Sequence, residues 1–182
     1  MKRLLALVAA SVVVPLFVAA CEEPMDAPVA SAGVQGIGAD IVYYGMVSYL
    51  TASGVREGRV QADTAYAFFD SATVKLRGMR LAFYNSDGTE RASVTADAGE
   101  LDENTDRMLA RGNVVLIVAS DGRRIETAEL NYNPGEDRIW SDSATVQTLA
   151  NGTVTRGTAF QSDLDFRNVV IRNIRGGGNI VF

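Results

Sequence analysis

The sequence predicts an all-β domain, on three observations. From Asp40 onward the chain divides into roughly a dozen short runs of alternating or β-branched apolar residues. Turn formers such as Ser86-Asp87-Gly88, Ser120-Asp121-Gly122 and Asn151-Gly152 separate those runs, and nothing after residue 40 keeps a helical period for three turns. The third observation is a repeat. Arg59-Val60-Gln61-Ala62-Asp63 matches Ser93-Val94-Thr95-Ala96-Asp97 at an offset of 34, and Gly78–Leu81 falls on Gly112–Val115 at the same offset. Asp137-Arg138-Ile139 falls on Asp106-Arg107-Met108 at an offset of 31, and a more worn copy begins at Gly157. Self-similarity of this length marks stacked supersecondary units, each too small to bury its own apolar face.

The N-terminus reads as a processing signal. Lys2-Arg3 precedes an apolar run from Leu4 to Val18, and Val18-Ala19-Ala20-Cys21 ends it with small residues before a cysteine. This looks like a bacterial lipoprotein signal, residues 1–20, cleaved before an acylated Cys21. A transmembrane anchor is the other reading, but the run is near the lower limit of about 17 residues and contains Pro15. Residues 21–39 hold Pro24, Pro28 and several glycines without hydrophobic period, and read as a flexible tether. Gly33–Gly38 is glycine-rich but has neither the strand before nor the helix after that a dinucleotide site needs.

Residues 40–182 form the expected domain. Ile41–Tyr44 and Met46–Leu50 read as strand, broken at Gly45 and turned at Ser53-Gly54. Arg59–Phe69 follows, with Thr64–Asp70 the one place where a helical turn is tolerable. Lys75–Asn85 alternates Leu81 and Phe83 with polar neighbours. In Arg91–Ile117, Val94, Ala96 and Ala98 alternate with Thr95, Asp97 and Gly99, Asp102–Asp106 turns the chain, and Gly112-Asn113 bends it. Arg124–Asn133 precedes the breaker Pro134–Asp137; Ile139–Leu149, Thr153–Phe166, Asn168–Arg175 and Asn179–Phe182 complete the strands.

The residue inventory narrows the chemistry. There is no histidine, and Cys21 is the single cysteine. Histidine bases, triads, thiol nucleophiles, the usual transition-metal ligands and internal disulfides are therefore excluded. Carboxylates are plentiful but sit in turns or on polar strand faces. Asp102–Asp106 starts like a calcium loop, yet its sixth and twelfth positions are Arg107 and Asn113 where glycine and glutamate are needed. No cofactor, metal or catalytic residue is expected. With 17 basic against 22 acidic residues the chain does not invite nucleic acid. The recurring apolar set, from Leu81 to Phe166, is compatible with a filled core or with a lined groove.

One resemblance runs from about Asp40 to Ile174. It rests on Gly54–Arg59 leading to Ala62–Tyr66, on Leu101-Asp102…Met108…Gly112–Val115, on Thr127–Tyr132, on Asp137–Asp142, and on Gly157…Phe160–Asp163. In these the chain resembles the LptC family, periplasmic components of the lipopolysaccharide export machine. The resemblance implies a twisted β-jellyroll, V-shaped in section, whose sheets splay to leave an apolar trough for lipid A acyl chains. It implies hand-off from an inner-membrane ABC transporter, with LptF/LptG-type membrane subunits, to an LptA-like bridge protein, and no ATP site here. Many members keep a transmembrane helix where this chain has Cys21. The trough is expected along Leu81, Phe83, Val115, Ile117, Leu130, Tyr132, Ile139 and Phe160, the offset of 34 placing Leu81 with Val115 and Phe83 with Ile117. The docking edge is expected at Val169, Val170, Ile171, Ile174, Ile180 and Val181, because no proline or lysine protects it. The alternative function is an acylated structural or adhesin-like β protein that binds no lipid; the alternative for the edge residues alone is that they close the barrel end against Ile41–Tyr44.

Overall fold

The structure is a computed structural model that describes residues 38–175 and 177–179. The signal segment, Cys21 and the tether as far as residue 37 lie outside the described residues, as do Ile180 and Val181. Twelve strands build one antiparallel sheet. They are β1 (Ile41–Ala52), β2 (Val55–Phe68), β3 (Thr73–Tyr84), β4 (Glu90–Asp102), β5 (Met108–Val118), β6 (Arg124–Asn133), β7 (Arg138–Ser141), β8 (Thr145–Thr148), β9 (Thr153–Gly157), β10 (Ala159–Ser162), β11 (Val170–Arg172) and β12 (Gly177–Asn179). β1 to β6 pair in chain order as hairpins. β7 and β8 pair with opposite halves of β6, so they are one strand path interrupted at Asp142–Ala144. β9 and β10 likewise pair with β8 and β7, and β12 and β11 pair with β9 and β10. The result is a meander, with β1 at one edge and β11 at the other.

The expected turns form for the reason their composition indicates. In each, a short Asx carboxylate or amide accepts the backbone N–H two residues on: Asp87 from Thr89 at 2.9 Å, Asp121 from Arg123 at 3.0 Å and Asn151 from Thr153 at 3.0 Å. Asp102 accepts from Asn104 at 2.9 Å and Thr105 at 3.2 Å in the same way, which makes Asp102–Asp106 a turn. No helical turn forms at Thr64–Asp70, the one place where the sequence would tolerate it. β2 continues through Phe68, and the one helical turn among the described residues is the 3-10 turn Pro134–Glu136. Its proline presets φ, and Asp137 closes it in the left-handed region at φ 49.

The repeat corresponds to a line of bends across the sheet. Pairing lapses between Tyr44 and Met46, Gln61 and Thr64, Arg77 and Met79, Thr95 and Ala98, and Arg111 and Val114. At that line each strand takes residues out of alternation. Buried positions in β2 run Val60, Ala62, then Ala65, Ala67; in β3 they run Val74, Leu76, then Met79, Leu81, Phe83. An extra residue in a strand bends it and raises its twist, and a row of such bends curls the sheet round one core. Asp63 lies over Gly78 and Asp97 over Gly112, both glycines having positive φ (64 and 76), so an added Cβ would collide with the carboxylate in each case. The matched Ala-Asp and Gly positions are therefore the bend itself, repeated every second strand.

The core is continuous from Val60 to Phe166 and includes Leu81, Phe83, Val94, Leu116, Leu130, Ile139 and Phe160. Each such side chain contributes about 1.5–3 kcal/mol through burial. Where β7 gives way to β8 the buried hydroxyls pair: Thr127 and Ser141 lie 2.8 Å apart, and Ser141 Oγ accepts the Ser143 N–H at 3.1 Å. The interruption thus leaves those polar groups satisfied.

Candidate functional site

The eight residues expected along the trough divide in two. Leu81, Phe83, Leu130, Tyr132, Ile139 and Phe160 are buried together in the core. Val115 and Ile117 are not with them; Ile117 is 41% exposed, and Val114, Leu116 and Val118 take the inner positions of β5. The equivalence at an offset of 34 fails because β5 spends two left-handed residues at the bend, Gly112 (φ 76) and Asn113 (φ 45), where β3 spends one, Gly78. The register shifts there accordingly, and Leu81 corresponds to Leu116 instead of Val115.

A cleft with aromatic, aliphatic and polar walls opens at the β1 side of the sheet. About 420 Å³ in volume, it is lined by Tyr43, Met46, Ala67, Phe69, Val74 and Leu101, with Glu103 at its rim. That is within the range of roughly 300–1,000 Å³ usual for ligand sites. Ala67, Val74 and Leu101 also belong to the core, so the floor of the cleft is the core surface. Phe69 is 59% exposed and Tyr43 46%, an unusual placement for large apolar rings. Sequence reasoning did not mark this cleft. The available signal was aromatic density beside a bend and a turn: Tyr43-Tyr44 before Gly45, and Phe68-Phe69 at the end of a strand pattern.

The far end of the core is closed by aromatic packing. Phe83 meets Tyr132 at 5.2 Å between ring centroids and Phe166 at 6.2 Å. Burial pushes the Tyr132 phenol up to about 12, with Glu57 and Asp106 adding to the effect and Arg91 opposing it. Phe166 comes from the connection between β10 and β11, outside any strand. Asp163 organises that connection, accepting the N–H of Arg167 at 2.8 Å and the side-chain amide of Asn168 at 2.6 Å. Burial acts to raise the Asp163 carboxyl, but these donors and Ser162 outweigh it and hold the group below the usual carboxylate range. A polar groove of about 500 Å³ lies on this side, with Arg56, Glu57, Arg91, Asp137, Asp165 and Arg167 along it.

Among the described residues β1 at one edge, and β11 and β12 at the other, each pair on one side only. In β11, Val170 is 50% exposed and Ile171 is half-buried; Val169 packs partly on the core, and Ile174 is exposed just beyond the strand. β11 pairs with β10 alone, so the described residues of this segment do not close the domain against Ile41–Tyr44. β1 is the longer edge, twelve residues without lysine or proline. It exposes Tyr44, Val47 and Tyr49, the last under the Arg56 guanidinium at 3.8 Å. Among the described residues no helix is long and apolar enough to cross a membrane.

Comparison with known proteins gives a family and a fold. No curated protein matches the chain. Among solved structures it is similar to LptH from Pseudomonas aeruginosa, described as the LptA-homologous periplasmic component of the conserved lipopolysaccharide transport device. That likeness has a TM-score of 0.51 at 14% identity and covers 64% of this chain and 82% of the other. At this identity it establishes the fold: the open, curled antiparallel sheet is of the LptA type. The family model described as lipopolysaccharide-assembly, LptC-related, matches residues 4–177. With nearly the whole sequence inside that match, this chain belongs to the LptC-related family of lipopolysaccharide-assembly proteins, a family of transport components and not of enzymes.

Proposed function

We propose that the chain is a periplasmic, membrane-anchored relay that takes the acyl chains of lipopolysaccharide into the cleft beside β1 and passes the glycolipid to an LptA-like bridge protein. The observation that carries this reading is the cleft itself, open to solvent, walled by aromatic and aliphatic side chains and floored by the core. Drawing one twelve-carbon chain bare into water costs on the order of 10 kcal/mol at about 0.8 kcal/mol per CH₂. Transfer across an aqueous compartment therefore needs an apolar path, which in this reading continues from the cleft among the buried aromatic residues as their packing opens.

The two free edges suit a relay with two neighbours, each joined by strand addition. In this reading β1 takes the LptF/LptG-type subunits of the transporter. β11 then faces the bridge protein. Residues 1–20 are the signal and acylated Cys21 is the anchor in this reading. A photoreactive residue at Phe69 tests it in intact cells, with one at the exposed Thr95 as control. The expected result is crosslinking to lipopolysaccharide from position 69 and not from 95. Equal yields, or none at 69, would refute the groove and favour an acylated structural protein.

A further inference from the structure

We propose that the connection Asp163–Asn168 is a lid. It closes the β11 end of the trough with the ring of Phe166, and an acyl chain moving toward that edge displaces it. This rests on the reading of the trough as an acyl path and adds a gate to it.

Phe166 is 5% exposed, yet its backbone is left-handed at φ 59. It is the one aromatic residue among the described non-glycine residues with positive φ. Bulky side chains rarely adopt that region, because Cβ crowds the backbone there, and one held in it is held by its surroundings. Here the surroundings are the ring seat against Phe83, which continues to Tyr132. That seat is apolar, and a saturated acyl chain fills such a space as well as a phenyl ring does. Ring and chain then compete for one place. Release of the ring also relieves its backbone, so the closed state is held without being deeply preferred.

What fastens the lid from outside is weak. Asp165 pairs with Arg91 at 2.9 Å and with Arg167 at 3.3 Å, and all three groups reach solvent. Asp137 accepts the Leu164 N–H at 3.2 Å. Asp165 is 46% exposed and Arg167 79%, against 23% for Arg91, and pairs that reach solvent in this way open at little cost. Within the loop, Asp163 binds the N–H of Arg167 and the side chain of Asn168, so the segment can move as a capped unit. Its outer side faces the polar groove, which leaves room for outward movement. Asn168 leads directly into Val169 and Val170, so the lid and the docking edge share one short connection.

Hydrogen exchange on the full acylated chain, with and without lipopolysaccharide, tests the gate. Crosslinking from a photoreactive residue at position 69 reports binding in parallel. The expected result is crosslinking at 69 together with faster exchange at the Leu164 amide, whose bond to Asp137 breaks when the loop moves out, when lipopolysaccharide is added. Crosslinking with unchanged or slower exchange there overturns the lid and leaves the relay standing. Absence of crosslinking overturns both. Arg91→Gln, which unfastens Asp165, should speed exchange at the Leu164 amide about threefold without ligand; Asp165→Asn serves if that variant does not fold. Unchanged exchange in a folded variant overturns the latch.

Discussion

Replacing Gly112 by alanine isolates the force that holds the bend. The residue sits at φ 76, a region that costs a non-glycine residue about 1–2 kcal/mol. The new Cβ would lie 2.7 Å from Asp97 Oδ2 and 3.0 Å from its Cβ, so the carboxylate must swing away. In doing so it loses the hydrogen bond that the Asn113 amide donates to it at 2.7 Å, worth about 0.5–1.5 kcal/mol and less for being exposed. Together these make a loss of about 2–3 kcal/mol. Gly88→Ala is the control, since its φ is 85 but nothing stands within 4 Å of an added Cβ. It should lose only the backbone part. Equilibrium urea denaturation of both variants, and of Gly112→Ala in an Asp97→Ala background, measures the difference of about 1 kcal/mol as a coupling energy. If Gly112→Ala is no worse than Gly88→Ala, or if the coupling vanishes, the carboxylate does not hold the bend.

Three further outcomes are expected. Tyr132 titrates near 12 when folded and near 10 when unfolded, so the stability it contributes is intact below pH 10 and is lost as pH rises through 12. The loss is about 2 kcal/mol and should be absent in Tyr132→Phe; parallel denaturation curves from pH 9 to 12 for the two proteins would remove this account. Cys21→Ser should abolish labelling by a clickable fatty acid, and persistent label would mean that the anchor lies elsewhere. Val170→Pro removes a ladder donor at the β11 edge and should leave far-ultraviolet circular dichroism unchanged while abolishing capture of an LptA-like bridge protein. Full capture by the folded variant would move docking to β1.

Where local chemistry decides the structure, the sequence reports it well. The Asx turns, the strand alternation and the spacing of the bends all follow from residues within a few positions of one another. The failures have a common cause in that they depend on what a distant segment does. One additional left-handed residue, Asn113, turned Val115 and Ile117 outward, and an Asn after a Gly does not announce whether one or both will be spent in the bulge. Thr64–Asp70 had a composition tolerable in a helix, but its partners in β1 and β3 kept it extended. Phe166 reads as the end of a strand, and its place in the core depends on Phe83, 83 positions earlier in the chain. The cleft at Tyr43 and Phe69 exists because β1 has a neighbour on one side only, a fact about topology and not about either residue.

Because every ladder joins consecutive runs of the chain, the sheet has no crossover to thread. Each new strand can add to an existing edge after closing only a short loop, a route with a small entropic barrier at every step. Strand addition by a partner repeats that step with a chain that is not covalently attached. Assembly with a neighbour is then the continuation of folding beyond the end of the polypeptide, and the affinity of that contact should follow the same backbone hydrogen bonding that makes the last hairpin close.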